Sequence, residues 1–122
     1  MSPETAKADH QRQTQCHHPA PVHFPVRQIH QHLGAPDVAL LPIGAYKPDW
    51  IRNGHISPAE AVEAFQQLSA GRAIACHFGT WQLANEGYQE TLDDLAAALR
   101  SAGIQQERFI VPDNGQTLKG TK

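Results

Sequence analysis

The chain has 122 residues, with ten Lys and Arg against twelve Asp and Glu, a formal net charge of −2, 40% hydrophobic residues and 18% charged ones. That length suits one small domain. The near-neutral balance excludes a strongly basic nucleic-acid binder and supplies no polybasic membrane anchor. The two cysteines, Cys16 and Cys76, cannot build a disulfide-rich scaffold, and their spacing matches no zinc motif. A reducing, cytoplasmic setting is expected. The N-terminus shows no apolar signal region, and the longest apolar run, Val38 to Leu41, is far short of the ~20 residues that span a bilayer. Histidine is the unusual component. Of eight, six lie within the first 32 residues (His10, His17, His18, His23, His30 and His32), and only His55 and His77 follow.

Residues 1–23 carry almost no large apolar side chains and no period. They are expected to form a disordered His/Gln/Pro-rich tail, because they bury too little surface to offset ordering entropy. From Pro25 the pattern turns regular. Val26, Ile29, His30 and Leu33 fall at helical spacing, and Gly34 suits the C′ position, which predicts a short helix over 25–33. Val38-Ala-Leu-Leu-Pro-Ile43 reads as a strand buried on both faces, with Pro42 at its end. A turn-rich loop over 44–54 holds Tyr46 and Trp50. Ser57-Pro58-Ala59-Glu60 is a capping box with proline at the first helical position, followed by the stripe Ala61, Val62, Phe65 and Leu68 and a stop at Gly71. Ala73 to Cys76 predicts a second buried strand, running directly into His77. Thr91 is expected to open a third helix with Leu92, Leu95, Ala96 and Leu99 on one face, closed by Gly103. Phe109 to Pro112 reads as a last strand, and 113–122 as a polar tail.

The order α-β-α-β-α-β predicts an α/β fold with parallel neighbours. Three short strands make a thin sheet, and three helices can hardly cover both of its faces. A partner is therefore expected.

In open α/β sheets, chemistry collects beyond the C-terminal ends of the strands. Two loops qualify, 44–55 and 77–85, and each holds one of the sparse histidines. On position alone His77 is read first as a hydrogen-bonded structural histidine and second as a metal ligand on a rigid strand end. His55 is read first as an exposed loop histidine. Cys16, His17, His18 and His23 have metal-binding side chains at a spacing poor for a closed tetrahedral site, so adventitious binding is the expectation. Glu86, Glu90, Asp93 and Asp94 sit where they would serve a helix N-terminus as cap and dipole partners. Tyr46, Trp50, Phe78 and Trp81 either line a pocket or fill the space under two loops. No nucleotide-binding glycine loop, nucleophile elbow or His-Glu-x-x-His motif occurs.

Three ordered segments carry a family resemblance: Leu41-Pro-Ile-Gly-Ala-Tyr-Lys-Pro48, His55-Ile-Ser-Pro-Ala-Glu-Ala-Val62 and Cys76-His-Phe-Gly-Thr-Trp-Gln-Leu-Ala-Asn-Glu86. Over residues 24–112 the chain resembles the C-terminal half of metallo-β-lactamase-fold hydrolases of the N-acyl-phosphatidylethanolamine phospholipase D type, a group with UlaG-like lactonase relatives. The resemblance implies part of an αββα sandwich with two zinc ions at one edge, where a metal-bound hydroxide attacks a phosphodiester or related bond. It implies His77 as a zinc ligand, His55 as an active-site histidine that orients or stabilises the phosphate, and Tyr46 as a substrate-flanking residue. The family's His-x-His-x-Asp-His motif is absent. Its bridging aspartate is also missing, since that place reads Pro19-Ala-Pro-Val-His-Phe-Pro25.

The expectation is therefore a truncated zinc-dependent phosphodiesterase domain, inactive alone and binding zinc weakly or not at all. A separate N-terminal half-domain is the expected partner, and a phospholipid or small ester the parent substrate, in the cytoplasm and peripheral to a membrane. The alternative is a small binding module whose histidine-rich tail takes up metal adventitiously. A third reading has His55 and His77 of two copies sharing one ion.

Overall fold

The computed structural model describes residues 23–120. Residues 1–22, and with them the expected tail as far as Val22 and its Cys16-His17-His18 cluster, lie outside the described residues. The elements run α1 (His23–Leu33), β1 (Val38–Pro42), a 3₁₀ helix (Asp49–Gly54), α2 (Pro58–Leu68), β2 (Arg72–Cys76), α3 (Tyr88–Ala102), a second 3₁₀ turn (Gln106–Arg108) and β3 (Phe109–Ile110).

α2 starts where its sequence dictates. The Ser57 side chain accepts from the Glu60 N–H at 3.3 Å, and the Glu60 carboxylate accepts from the Ser57 N–H at 2.6 Å. Two donors that the helix leaves orphaned are thereby satisfied. The far end departs from expectation. Ser69, at φ 52°, takes the left-handed cap position in place of Gly71. Gly71 has another duty. A Cβ there would lie 2.8 Å from the Asp37 carbonyl oxygen, and its N–H donates to Pro36 at 3.0 Å. The missing side chain lets the entry to β2 run against the entry to β1.

α3 also differs from its predicted start. It opens at Tyr88, with Gly87 as N-cap, a turn ahead of Thr91. Glycine has no side chain to cap with, so the reciprocal bond alone operates: the Glu90 carboxylate accepts from the Gly87 N–H at 3.2 Å. Thr91 is buried, and its hydroxyl donates back to the Gly87 carbonyl at 3.2 Å. A threonine that bonds one turn back reads in sequence like a cap. β3 ends at Ile110, short of Pro112, and the loop after Lys47 winds into a 3₁₀ helix over Asp49–Gly54.

The three strands form a parallel sheet in the order β1-β2-β3. Ala39 and Leu41 pair in register with Ala73 and Ala75, and Ala73 with Phe109. These five side chains are buried in one core with Ala61, Val62, Phe65 and Leu68 of α2 and Leu95 and Leu99 of α3. α2 packs between α1 and α3. At the α1 contact, His30 Nδ1–H donates to the Leu68 carbonyl at 2.9 Å, one of the C-terminal acceptors that a helix leaves open.

Burial along β1 and β2 alternates, which corrects the expectation of strands buried on both faces. The physical reason is the placement of the helices, which cover the Ala39–Leu41 face. On the opposite face Val38 and Leu40 are 37% and 67% exposed, with Ile74 and Ile110 half-buried beside them. Both faces are apolar, and one is uncovered among the described residues.

Ser57→Ala removes a cap and should lower stability by about 1 kcal/mol, read as a fall in denaturation midpoint at unchanged slope.

Candidate functional site

The parallel arrangement brings the C-terminal ends of β1 and β2 side by side. Their ladder is extended past the strands by an Ile43 N–H that donates to the Cys76 carbonyl at 3.2 Å. One residue further on, the chains cross with no room to spare. A Cβ on Gly44 would lie 2.3 Å from the His77 carbonyl oxygen. Both flanking residues are held in left-handed conformations, Ala45 at φ 63° and His77 at φ 56°. Non-glycine residues keep that backbone only where the surroundings impose it.

The crossing has a direct consequence for the histidines. The rings of His55 and His77, separated by α2 and β2 in the chain, lie with centroids 5.1 Å apart and planes tilted by 31°. His55 is half-buried just ahead of the Ser57 cap, and His77 is exposed. The two sparse histidines therefore share one place at the carboxyl edge of the sheet.

Tyr46 has a different position. It is buried, and its hydroxyl donates to Asp94 Oδ2 of α3 at 2.6 Å. Burial first, and the Asp94 carboxylate second, hold the phenol well above its ordinary range. Tyr46 is not among the residues that line the cleft beside His77, whereas Phe78 and Trp81 are. Trp50 stands 73% exposed on the 3₁₀ helix.

Glu86 is the functional residue that sequence reasoning misplaced. It was expected to serve the α3 terminus, but its buried carboxylate accepts from the Ala45 N–H at 2.6 Å and from the Lys47 N–H at 3.0 Å. The Asn85 N–H donates to the Lys47 carbonyl at 3.0 Å. The loop after β2 thus clamps the loop after β1, and Glu86 satisfies two backbone donors that burial would otherwise orphan. The available signal was its isolation, since Glu86 carries the one formal charge between His77 and Tyr88. Lys47 adds an ion pair to Glu90 and a second contact to Asp94 at 3.6 Å. That Lys47 pair, with help from the Gly87 N–H, holds the Glu90 carboxyl below its usual range.

Cys76 is exposed beside His77, but partial desolvation pushes its thiol up, so it is not an activated nucleophile. Among the described residues no three His, Cys, Asp or Glu side chains gather into a metal-binding group. His55 and His77 offer two imidazoles, whereas a catalytic zinc takes three protein ligands and an open position. The described residues do not fit a complete metal centre, and no hydrolytic step is derived through one.

Residues 8–78 match the model of the β-lactamase superfamily domain. The chain is 34% identical over 93 residues to N-acyl-phosphatidylethanolamine-hydrolyzing phospholipase D 1 of Caenorhabditis elegans, covering 74% of this chain and 26% of that protein. It is 32% identical over 81 residues to the mitochondrial N-acyl-phosphatidylethanolamine-hydrolyzing phospholipase D of Saccharomyces cerevisiae, covering 66% of this chain and 17% of that protein. It is also 38% identical over 97 residues to an uncharacterized protein of Mycobacterium tuberculosis, of which it covers 25%. The chain thus spans about a quarter or less of the length of these curated relatives.

Gly44→Ala places a methyl group against backbone that cannot retreat. It should cost at least about 2 kcal/mol and separate the two rings, visible as lost contacts between the His55 and His77 ring protons in NMR spectra. Tyr46→Phe loses one hydrogen bond and should cost about 1 kcal/mol at neutral pH. The folded phenol titrates above the unfolded one, so its contribution is complete below about pH 10 and is lost as pH rises further. The native chain should therefore lose stability in an alkaline denaturation series, and the Phe variant should lose less.

Proposed function

The chain belongs to the β-lactamase superfamily, as a metallo-β-lactamase-fold relative of the N-acyl-phosphatidylethanolamine phospholipase D type, and on that premise we propose that it supplies one side of a zinc-dependent phosphodiester-hydrolysing centre. The observation that supports this reading is the contact between His55 and His77 at the carboxyl edge of the sheet. In the proposed roles His77 is a metal ligand, His55 orients or stabilises the phosphate, and Tyr46 flanks the substrate by fixing the loop that carries Ala45. Zinc, where three or more ligands hold it, supplies an acidified water and a Lewis acid for the phosphoryl oxygen.

This chain's own residues bring two imidazoles to such a centre. One or two histidines give an exchangeable contact rather than a water at neutral pKa. The chain alone is accordingly proposed to be inactive, with the remaining ligands brought by a separate N-terminal half-domain. The printed names of two relatives support a phospholipid as substrate, with a cytoplasmic location at a membrane surface as part of the same proposal. No helix among the described residues is long and apolar enough to cross a membrane.

Zinc titration of the full chain tests the metal role. With Cys16, His17 and His18 replaced by serine to silence the N-terminal cluster, the remaining affinity should fall at least tenfold in His77→Ala. Hydrolysis of bis(p-nitrophenyl) phosphate should be absent with zinc alone and appear on co-expression with a half-domain carrying His-x-His-x-Asp-His. Zinc-dependent turnover by the unassisted chain, abolished in His77→Ala, would overturn the inactive reading.

A further inference from the structure

The loop from His77 to Tyr88 has an unusual surface. It holds Phe78, Trp81, Leu83 and Tyr88 and one formal charge, that of Glu86. The clamp turns that charge inward, where two backbone N–H groups occupy it. What remains outside is uncharged and apolar. Trp81 is 77% exposed, Leu83 60% and Tyr88 58%. Isolated exposed apolar residues are ordinary, but three on one short uncharged loop form a patch.

The patch also encloses a space. Phe78 and Tyr88 stack with centroids 4.8 Å apart, so one wall is built of two locked aromatic rings. Gly79, at φ 85°, makes the turn beneath them, and a Cβ there would come within 3.2 Å of the Tyr88 ring. Trp81 and Leu83 form the opposite lip, and the backbone of Gly44 and Ala45 forms the floor. The resulting cleft has a volume of about 160 Å³ and opens beside His77. An apolar cavity of ~150 Å³ accommodates a molecule the size of benzene. This one therefore takes several carbons of a hydrocarbon chain, whereas a folded peptide element of ~10 Å diameter does not enter it.

We infer that this cleft is the seat of a single hydrocarbon chain of an amphiphilic substrate, held so that the polar head lies toward His55 and His77. The inference rests on the proposed reading for the identity of the reacting head group, but chain binding itself requires no metal. Tryptophan suits the lip because its ring is apolar while its N–H remains wet. The uncharged loop surface exacts no desolvation of charge when an alkyl chain enters. A lipid monomer and a bilayer surface share this chemistry, and the cleft favours the monomer because its walls converge on one narrow slot.

The chain contains two tryptophans, so Trp50→Phe leaves Trp81 as the reporter. Monomeric dodecylphosphocholine, below its micelle threshold, should shift Trp81 emission to shorter wavelength and saturate. Leu83→Ser and Tyr88→Ser in that background should weaken the response at least tenfold. Both side chains are exposed, and unchanged thermal midpoints will confirm that the fold is kept. His77→Ala should leave the response within twofold, so failure of the metal reading and failure of this one remain separate. Absence of a shift would overturn the inference. So would a shift indifferent to Leu83→Ser and Tyr88→Ser, or one seen only with phosphatidylcholine vesicles, which would mark a surface contact instead of a cleft.

Discussion

Everything at the candidate site depends on one backbone crossing. The chain leaving β1 passes the chain leaving β2 so closely that Gly44 has no space for a side chain against the His77 carbonyl. The parallel register sets up this encounter, since Pro42 pairs with Cys76 and the next residues must diverge within a step or two. Divergence is achieved by two left-handed residues, Ala45 and His77. Each costs on the order of 1–3 kcal/mol in isolation. The sheet on one side and the Glu86 clamp on the other hold them there. The strain has a visible result, because a left-handed His77 leaves the strand direction and meets the ring of His55.

Glu86 then connects fold and surface. A buried carboxylate needs donors, and the loop after β1 has backbone N–H groups that need acceptors. Each satisfies the other at 2.6 and 3.0 Å. The same bonds remove the only formal charge from the outer side of the 77–88 loop. Rigidity at the histidine pair and apolarity at the neighbouring lip are therefore two consequences of one interaction. Lys47 reinforces it from outside through Glu90 and Asp94, but those groups are exposed and contribute little individually.

Features set by local chemistry were legible in the sequence. The Ser57-to-Glu60 box places α2 at its observed start, Pro42 ends β1, and Gly103 closes α3 in a left-handed conformation. Features set by contacts distant in sequence were not. Gly71 looks like a helix stop but is needed against Asp37, from which thirty-odd residues separate it. Thr91 looks like a cap but is a buried side chain bonding backward. Glu86 looks like a helix partner because its sequence neighbours are Gly87 and Glu90, while its true partners lie some forty residues earlier. The family resemblance grouped His55 and His77, and the structure brings them into contact. Nothing in spacing alone joins them.

Two incomplete features of the described residues adjoin each other. One is the uncovered sheet face with Val38, Leu40 and Ile74, and the other is the pair of imidazoles without a third ligand. β2 carries both. Ile74 and Cys76 project on the open side, and His77 follows immediately. A body seated on that face would gain about 2 kcal/mol for each large aliphatic side chain it fully buries. Its edge would end beside His77. Ligands brought by that body would need no further movement of the histidine pair, which the Gly44 crossing already fixes. Apolar burial would thus supply the driving force for association, while the polar groups at its rim would decide the chemistry. An apolar sheet face is tolerant of shape, whereas a metal site is exacting about distance. The rigid crossing at Gly44 and His77 is what allows a tolerant interface to deliver an exacting geometry.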